Sequence, residues 1–231
     1  MTTPTFTSPR GLWLCVTGPD ALEMLPTEGI GWFGVDLQHG MYDVADLAGL
    51  LRATDVPVVA RAASQDAGHL ARVLDTGVAG VIVPGVEGVA DVEALVQAVR
   101  FPPEGRRSTG LTRSVAVGGP ERPLLLPMVE TRGALEEVEQ MAAVAGVDGL
   151  FVGPYDLSLS LGRPGVTDEQ VVAGIRRVAE VAGAAGLLRG AFSANADLDP
   201  MLPELDLVAV TTDTQALAAG VQMLLGAGSA G

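Results

Sequence analysis

Eight times between Leu12 and Leu225, a short apolar run without polar alternation gives way to a stretch whose apolar residues recur at helical spacing. The runs are Leu12–Val16, Trp32–Leu37, Val56–Ala60, Gly80–Val83, Leu124–Val129, Gly149–Gly153, Leu187–Phe192 and Leu207–Val210. Val44, Leu47, Leu50 and Leu51 mark one intervening helical stripe, and Leu70, Val73 and Leu74 another. Strands that are apolar on both faces belong to a parallel sheet covered by helices. Eight such units close into a (β/α)8 barrel more readily than into an open sheet, and 231 residues is near the roughly 250 typical of that architecture. A doubly wound sheet is the alternative, but no Gly-x-Gly-x-x-Gly turn follows the first run, which removes support for dinucleotide binding. A single domain over residues 1–231 is expected.

Local signals set the expected joints. Asp43, Ser64 and the box Thr167-Asp-Glu-Gln170 read as helix starts. Phe101–Pro123, rich in Gly, Pro and Arg and without a period, reads as a long functional loop.

In a barrel of this kind the chemistry belongs at the carboxyl ends of the strands. Those ends carry Asp36, Gln38 and His39 after the second run, Arg61 after the third, Glu130 after the fifth and Asp156 after the sixth, with Ser193 and Asp213 after the last two. Neighbouring strands lie about 4.8 Å apart, so Glu130 and Asp156 could grip one cation or flank one substrate. The alternative makes Glu130 a helix-start acid and Asp156 a cap. Arg61 directly follows a buried run, where it either pairs with a structural acid or binds a carboxylate or ketone oxygen. His69, inside a helix, reads as a surface residue, and Arg106 and Arg107 in the long loop are candidates that could merely be solvated.

Charge and composition exclude several chemistries. A net charge of −14 argues against nucleic acid and anionic membranes as partners, since both select basic patches. All 14 basic residues are Arg. With no lysine there can be no Schiff-base aldolase and no lysine-anchored pyridoxal phosphate. Two histidines are too few for a His-rich zinc site, and the single Cys15 rules out an internal disulfide. No secretory leader pattern opens the chain, so a cytoplasmic setting is expected.

These residues in this order resemble the HpcH/HpaI aldolase/citrate lyase family. The carriers are Val35-Asp-Leu-Gln-His-Gly40, Val58-Val-Ala-Arg61, Leu74-Asp-Thr-Gly-Val-Ala-Gly-Val-Ile-Val-Pro84 and Pro102-Pro-Glu-Gly-Arg-Arg-Ser108. Met128-Val-Glu-Thr131 and Gly149-Leu-Phe-Val-Gly-Pro-Tyr-Asp-Leu-Ser158 complete the set, and together they are the specific pair. The resemblance implies a (β/α)8 TIM barrel of phosphoenolpyruvate/pyruvate-domain type, and reversible aldol cleavage of a 4-hydroxy-2-oxo acid to pyruvate, or a related 2-oxo acid, and an aldehyde. It implies a divalent metal, Mg2+ or Mn2+ with Co2+ as a further candidate, held by Glu130 and Asp156. Arg61 matches the residue that contacts the ketone oxygen, and His39 the one that moves a proton. Asp36 and Asp75 match acids that organise that histidine. Gln38, Gly153, Pro154 and Tyr155 complete the expected substrate contacts. A homo-oligomer, a hexamer or trimer of dimers, is also implied.

Asp75 precedes the fourth run, at the end of the barrel opposite His39, so it could orient that histidine only from a neighbouring chain; otherwise it is a local helix-end residue. Gln38, Met128 and Tyr155 depart from the family's usual residues. A carbon–carbon lyase acting on a CoA thioester, as in the citrate lyase beta branch, and an inert barrel with a binding role are the rival readings.

Overall fold

The computed structural model describes residues 4–226. Its strands are β1 (Arg10–Leu14), β2 (Trp32–Asp36), β3 (Val58–Arg61), β4 (Gly80–Val83), β5 (Leu124–Val129), β6 (Gly149–Val152), β7 (Leu188–Phe192) and β8 (Leu207–Thr212). All pair in parallel with their sequence neighbours, and β8 returns to β1 to close the barrel. Helices α1 (Pro19–Glu23), α2 (Leu47–Ala53), α3 (Ala67–Asp75) and α4 (Val89–Val99) follow the first four strands, with α5 (Arg113–Ala116) inside the long loop before β5. Helices α6 (Arg132–Glu136) and α7 (Val138–Ala142) follow β5, α8 (Pro154–Ser160) and α9 (Glu169–Ala184) follow β6, and α10 (Asp213–Gly226) follows β8.

Alternation along each strand sorts the apolar residues into two cores. Trp13, Trp32, Val59, Ile82, Leu126 and Phe151 point inward and fill the barrel. Their neighbours Leu12, Leu14, Phe33, Val58, Val81 and Leu150 point outward under the helices. Large and small residues are matched in the interior: a Cβ on Gly34 would lie 2.3 Å from the Trp13 ring, so only glycine fits beneath that indole.

This parity positions the site. Inward positions 32 and 34 of β2 lead to Asp36, position 59 of β3 to Arg61, and positions 124, 126 and 128 of β5 to Glu130. The residues that close the inner column at the carboxyl end are therefore polar, while those beneath them are core.

Several joints differ from the sequence expectation. β1 runs two residues earlier than Leu12–Val16, and β8 runs two residues beyond Val210. Helix α2 begins after Asp46, not Asp43, which instead donates its N–H to the Asp46 carboxylate. Asp66 caps α3 by accepting the His69 N–H, whereas Ser64 accepts the Asp66 N–H one turn earlier. At α9 the cap is Asp168, accepting from Gln170, not Thr167. At α3 and α9 a carboxylate one or two residues downstream of the expected hydroxyl meets a free helix N–H, whereas Asp46 turns its carboxylate back to Asp43 and makes no side-chain cap to α2. No helix among the described residues is long and apolar enough to cross a membrane.

Candidate active site

Six residues from four strands, or from the turns that follow them, share one cavity at the carboxyl end of the barrel: Asp36, His39, Arg61, Gly153, Asp156 and Thr212. Its volume is about 230 Å³.

Asp36 organises this rim. Its carboxylate is buried and accepts from Arg61 Nε at 2.9 Å and Nη2 at 2.5 Å, a fork that fixes the guanidinium plane. It also accepts the backbone N–H of Gln38 at 3.0 Å and of His39 at 3.1 Å, and the Trp13 indole N–H at 3.3 Å. Burial alone would raise the Asp36 pKa, but the Arg61 hydrogen bonds and charge outweigh it, with help from the two backbone donors, and hold it below the usual carboxylate range.

The structure therefore gives Arg61 the acid partner that the sequence offered as one of two readings, and leaves room for the other. Nη1 makes no hydrogen bond among the described residues, and the guanidinium carbon lies 5.4 Å from the centre of the Trp13 ring. Asp36 holds the turn that carries His39 through the His39 backbone N–H and makes no hydrogen bond to its imidazole. The imidazole itself is exposed on the cavity wall. The Gln38 side chain is exposed and lies outside the cavity lining.

Glu130 stands behind the wall. It is 6% exposed, and its Oε1 accepts the Gly85 N–H at 2.6 Å. Oε2 has no donor among the described residues and faces Gly153, where a Cβ would approach within 2.8 Å. A side chain at 153 would therefore crowd this oxygen and the Met128 methyl. Burial raises the Glu130 pKa; the Gly85 hydrogen bond opposes this, the Asp156 charge adds to it, and Arg61 and His39 draw it back. A buried carboxylate with one open oxygen beside a second acid is a donor set for a hard divalent cation, which takes oxygen ligands and keeps further positions for water or substrate. Among the described residues no group of three or more His, Cys, Asp or Glu is placed to hold a metal, so any such site rests on this pair.

Other sequence candidates lie elsewhere. Ser193 is fully buried and bonds Asp199 and the Asn195 carbonyl, away from the cavity. Asp213 faces β1: its Oδ2 accepts the N–H groups of Cys15, Val16 and Thr17 at 2.9 Å each, and the Thr17 hydroxyl. Asp75 ends α3 and accepts from Arg107 Nη2 at 2.7 Å. Arg107 is thus buried and not solvated, and it stacks 4.8 Å from the centre of the Phe101 ring. The Phe101–Pro123 loop joins α4 to β5 and so lies at the amino-terminal end, outside the cavity. His69 accepts the Ala63 N–H at 3.0 Å through Nε2, tying down the turn after Arg61 instead of merely facing solvent.

The sequence reading missed the apolar half of the cavity, formed by Trp13, Cys15, Met128, Pro154, Tyr155 and Phe192, with only Pro154 and Tyr155 anticipated. Strand parity was the available signal. Cys15, Met128 and Phe192 fall on the same inward-facing positions as Trp13, Leu126 and Gly190, one step nearer the rim.

A family model for HpcH/HpaI aldolase/citrate lyase matches residues 10–218. The chain is 38% identical over 167 residues to a pyruvate aldolase of Rhizobium etli, covering 67% of this chain but only 66% of that one. It is 35% identical over 233 residues to a hydroxypyruvate/pyruvate aldolase of Pseudomonas aeruginosa, covering 94% of this chain and 87% of that one. A crystal structure of an HpcH/HpaI aldolase/citrate lyase family protein from Burkholderia cenocepacia superposes with a TM-score of 0.87 at 29% identity, over 95% of this chain and 94% of the other.

Proposed function

The chain belongs to the HpcH/HpaI aldolase/citrate lyase family, and from that premise we propose that it is a divalent-metal-dependent aldolase. It reversibly cleaves a 4-hydroxy-2-oxo acid to pyruvate, or a related 2-oxo acid, and an aldehyde. The observation that carries this reading is the Asp36–Arg61 fork sharing one cavity with His39 and Asp156, with the open oxygen of Glu130 behind it.

Glu130 and Asp156 are the residues that would hold the cation, with Mg2+ or Mn2+ preferred and Co2+ as a third candidate. When bound, such an ion acts as a Lewis acid toward the carboxylate and ketone oxygens of a 2-oxo acid. In the cleavage direction His39, directly or through a water, accepts the proton of the C4 hydroxyl. The C3–C4 bond breaks, its electron pair passes into the C2–C3 enolate, and C4 leaves as the aldehyde carbonyl. Arg61 presents Nη1 to the enolate oxygen while Asp36 keeps the guanidinium from turning away. Return of a proton to C3 completes pyruvate.

The active form on this reading is a cytoplasmic homo-oligomer of single-domain barrels, in which Asp75 orients the His39 of a neighbouring subunit. Two features favour association. Leu217, Val221, Leu224 and Leu225 form an exposed stripe on α10, and the outward Val208 and Val210 of β8 are only half buried.

Two reactions independent of the aldehyde test the aldolase reading. These are exchange of the pyruvate C3 protons with solvent deuterium and decarboxylation of oxaloacetate, each measured with added Mg2+ or Mn2+ and after chelation. Metal-dependent turnover is the expected result; no turnover with either ion or with Co2+ overturns the assignment.

A further inference from the structure

The aldehyde half of the reaction must be received by the apolar half of the cavity, and its chemistry is unusually one-sided. Trp13 and Phe192 meet edge to face with ring centres 5.3 Å apart, and Phe192 meets Tyr155 at 6.2 Å. Since Arg61 lies 5.4 Å from the centre of the Trp13 ring, the aromatic row begins at the ketone-binding group and runs outward to Tyr155, which is 45% exposed at the mouth. Met128 and Cys15 complete this lining with soft, polarisable surface. Burial, reinforced by the charges of Asp213 and Asp36, pushes the Cys15 thiol up to about 11, so it stays neutral at ordinary pH and behaves as an apolar contact.

Groups that would recognise a polar aldehyde are scarce. The Thr212 hydroxyl is taken by Thr214 and by the Gln215 N–H, which leaves Tyr155 as the wall's principal hydroxyl. A carboxylate-bearing aldehyde would need a cation, yet the chain has no lysine, and the cavity's one arginine is held by Asp36 through Nε and Nη2, leaving only the Nη1 that the aldolase reading gives to the ketone oxygen. Along this row a sugar-like aldehyde would find only the Tyr155 hydroxyl for its own hydroxyls, and a binding site discriminates strongly against unpaired polar groups.

We propose that the acceptor aldehyde carries a neutral, apolar and preferably aromatic substituent, seated on the Trp13–Phe192–Tyr155 row. The inference rests on the aldolase reading and names its substrate class. In the condensation direction the pyruvate C3 loses a proton and bonds to the aldehyde carbon. The aldehyde oxygen gains a proton, and the product is a 4-aryl-4-hydroxy-2-oxobutanoate; no oxidant or reductant is required.

The test compares kcat/KM for benzaldehyde, glycolaldehyde and succinic semialdehyde with pyruvate as the partner, in the metal-loaded enzyme. Benzaldehyde is expected to be favoured over both by about 10-fold or more. Tyr155→Ala, at an exposed position where folding is tolerant, and Phe192→Leu, which keeps most of the volume, should each lower the ratio of benzaldehyde to glycolaldehyde by about 10-fold. If the wild type exchanges pyruvate C3 protons but prefers either polar aldehyde, the acceptor assignment is overturned and the aldolase reading stands. A benzaldehyde preference untouched by both substitutions overturns the role of the aromatic row. Absence of C3 exchange overturns the aldolase reading and the acceptor assignment with it.

Discussion

Arg61 shows how much one side chain carries. Lysine in its place would keep the charge but lose the planar fork, so one of the two bonds to Asp36 is lost and nothing holds a donor toward the ketone oxygen. We expect Arg61→Lys to lower kcat by about 100-fold. Because the pair is buried, it should also cost about 1–3 kcal/mol in denaturant unfolding. A variant with full turnover would remove Arg61 from the chemistry. Asp156 behaves differently, being exposed, so Asp156→Ala should abolish metal-stimulated oxaloacetate decarboxylation while leaving the unfolding free energy within about 0.5 kcal/mol of wild type. Unchanged activity at limiting metal would dismiss the cation site. That Asp36, His39, Arg61 and Asp156 share one end of the barrel was legible in the sequence, because each lies at the end of a buried run or in the turn just past it. Trp13 and Phe192 were not, because an aromatic residue at a strand end looks the same whether it faces core or cavity. The role of Arg107 was not legible, because the acid it meets, Asp75, is 32 residues away and on another element.

At the scale of elements, the barrel was readable because apolar runs alternate with helices, the run of β7 alone being followed by no more than the short 3-10 turn Asp199–Met201, and β4 and β5 fall on the expected residues. The helix starts slipped because sequence spacing cannot tell which of several nearby Asp, Ser or Thr side chains reaches the free N–H groups. The least legible element contact is the clasp between β1 and α10. Asp213 looked like a rim acid, yet it accepts three consecutive backbone N–H groups and the Thr17 hydroxyl, joining the turn after the first strand to the start of the last helix. Burial pushes its pKa up, but these hydrogen bonds prevail and the net shift is downward. A carboxylate with a depressed folded pKa contributes its full stability above its unfolded value of about 3.9, and loses it as pH falls through the lower folded value. Asp213→Asn should therefore cost about 1.5–3 kcal/mol at neutral pH. The gap between variant and wild type should narrow in unfolding titrations carried below pH about 4. A gap that stayed constant across that range would show that the charge is not what the clasp uses.

At the scale of the whole molecule, β2 to β6 are buried along their full length, whereas the outward Val208 and Val210 of β8 are only partly covered. The helix that would cover them, α10, buries only its first residue, Asp213. Its Leu217, Val221, Leu224 and Leu225 recur at intervals of four, three and one, which places them along one stripe, and Leu217, Leu224 and Leu225 are 67–75% exposed. A stripe of this kind on a free monomer is an unstable arrangement in water. A second copy offers the complementary surface, because its own β8 leaves Val208 and Val210 half covered, and an exchange of this type is self-complementary about a two-fold axis. We therefore expect light scattering to give a mass of at least two subunits. Leu217→Gln combined with Leu224→Gln should shift the mass toward one subunit and make the melting temperature fall with dilution. The same assembly bears on Asp75. If a neighbour's Asp75 serves His39, mixing inactive His39→Ala and Asp75→Asn subunits restores part of the activity, since some interfaces then pair an intact histidine with an intact aspartate. A wild type that is monomeric and fully active would refute both the helix exchange and the shared site. An oligomer whose Asp75→Asn variant keeps the wild-type rate would leave the exchange standing and confine Asp75 to its bond with Arg107.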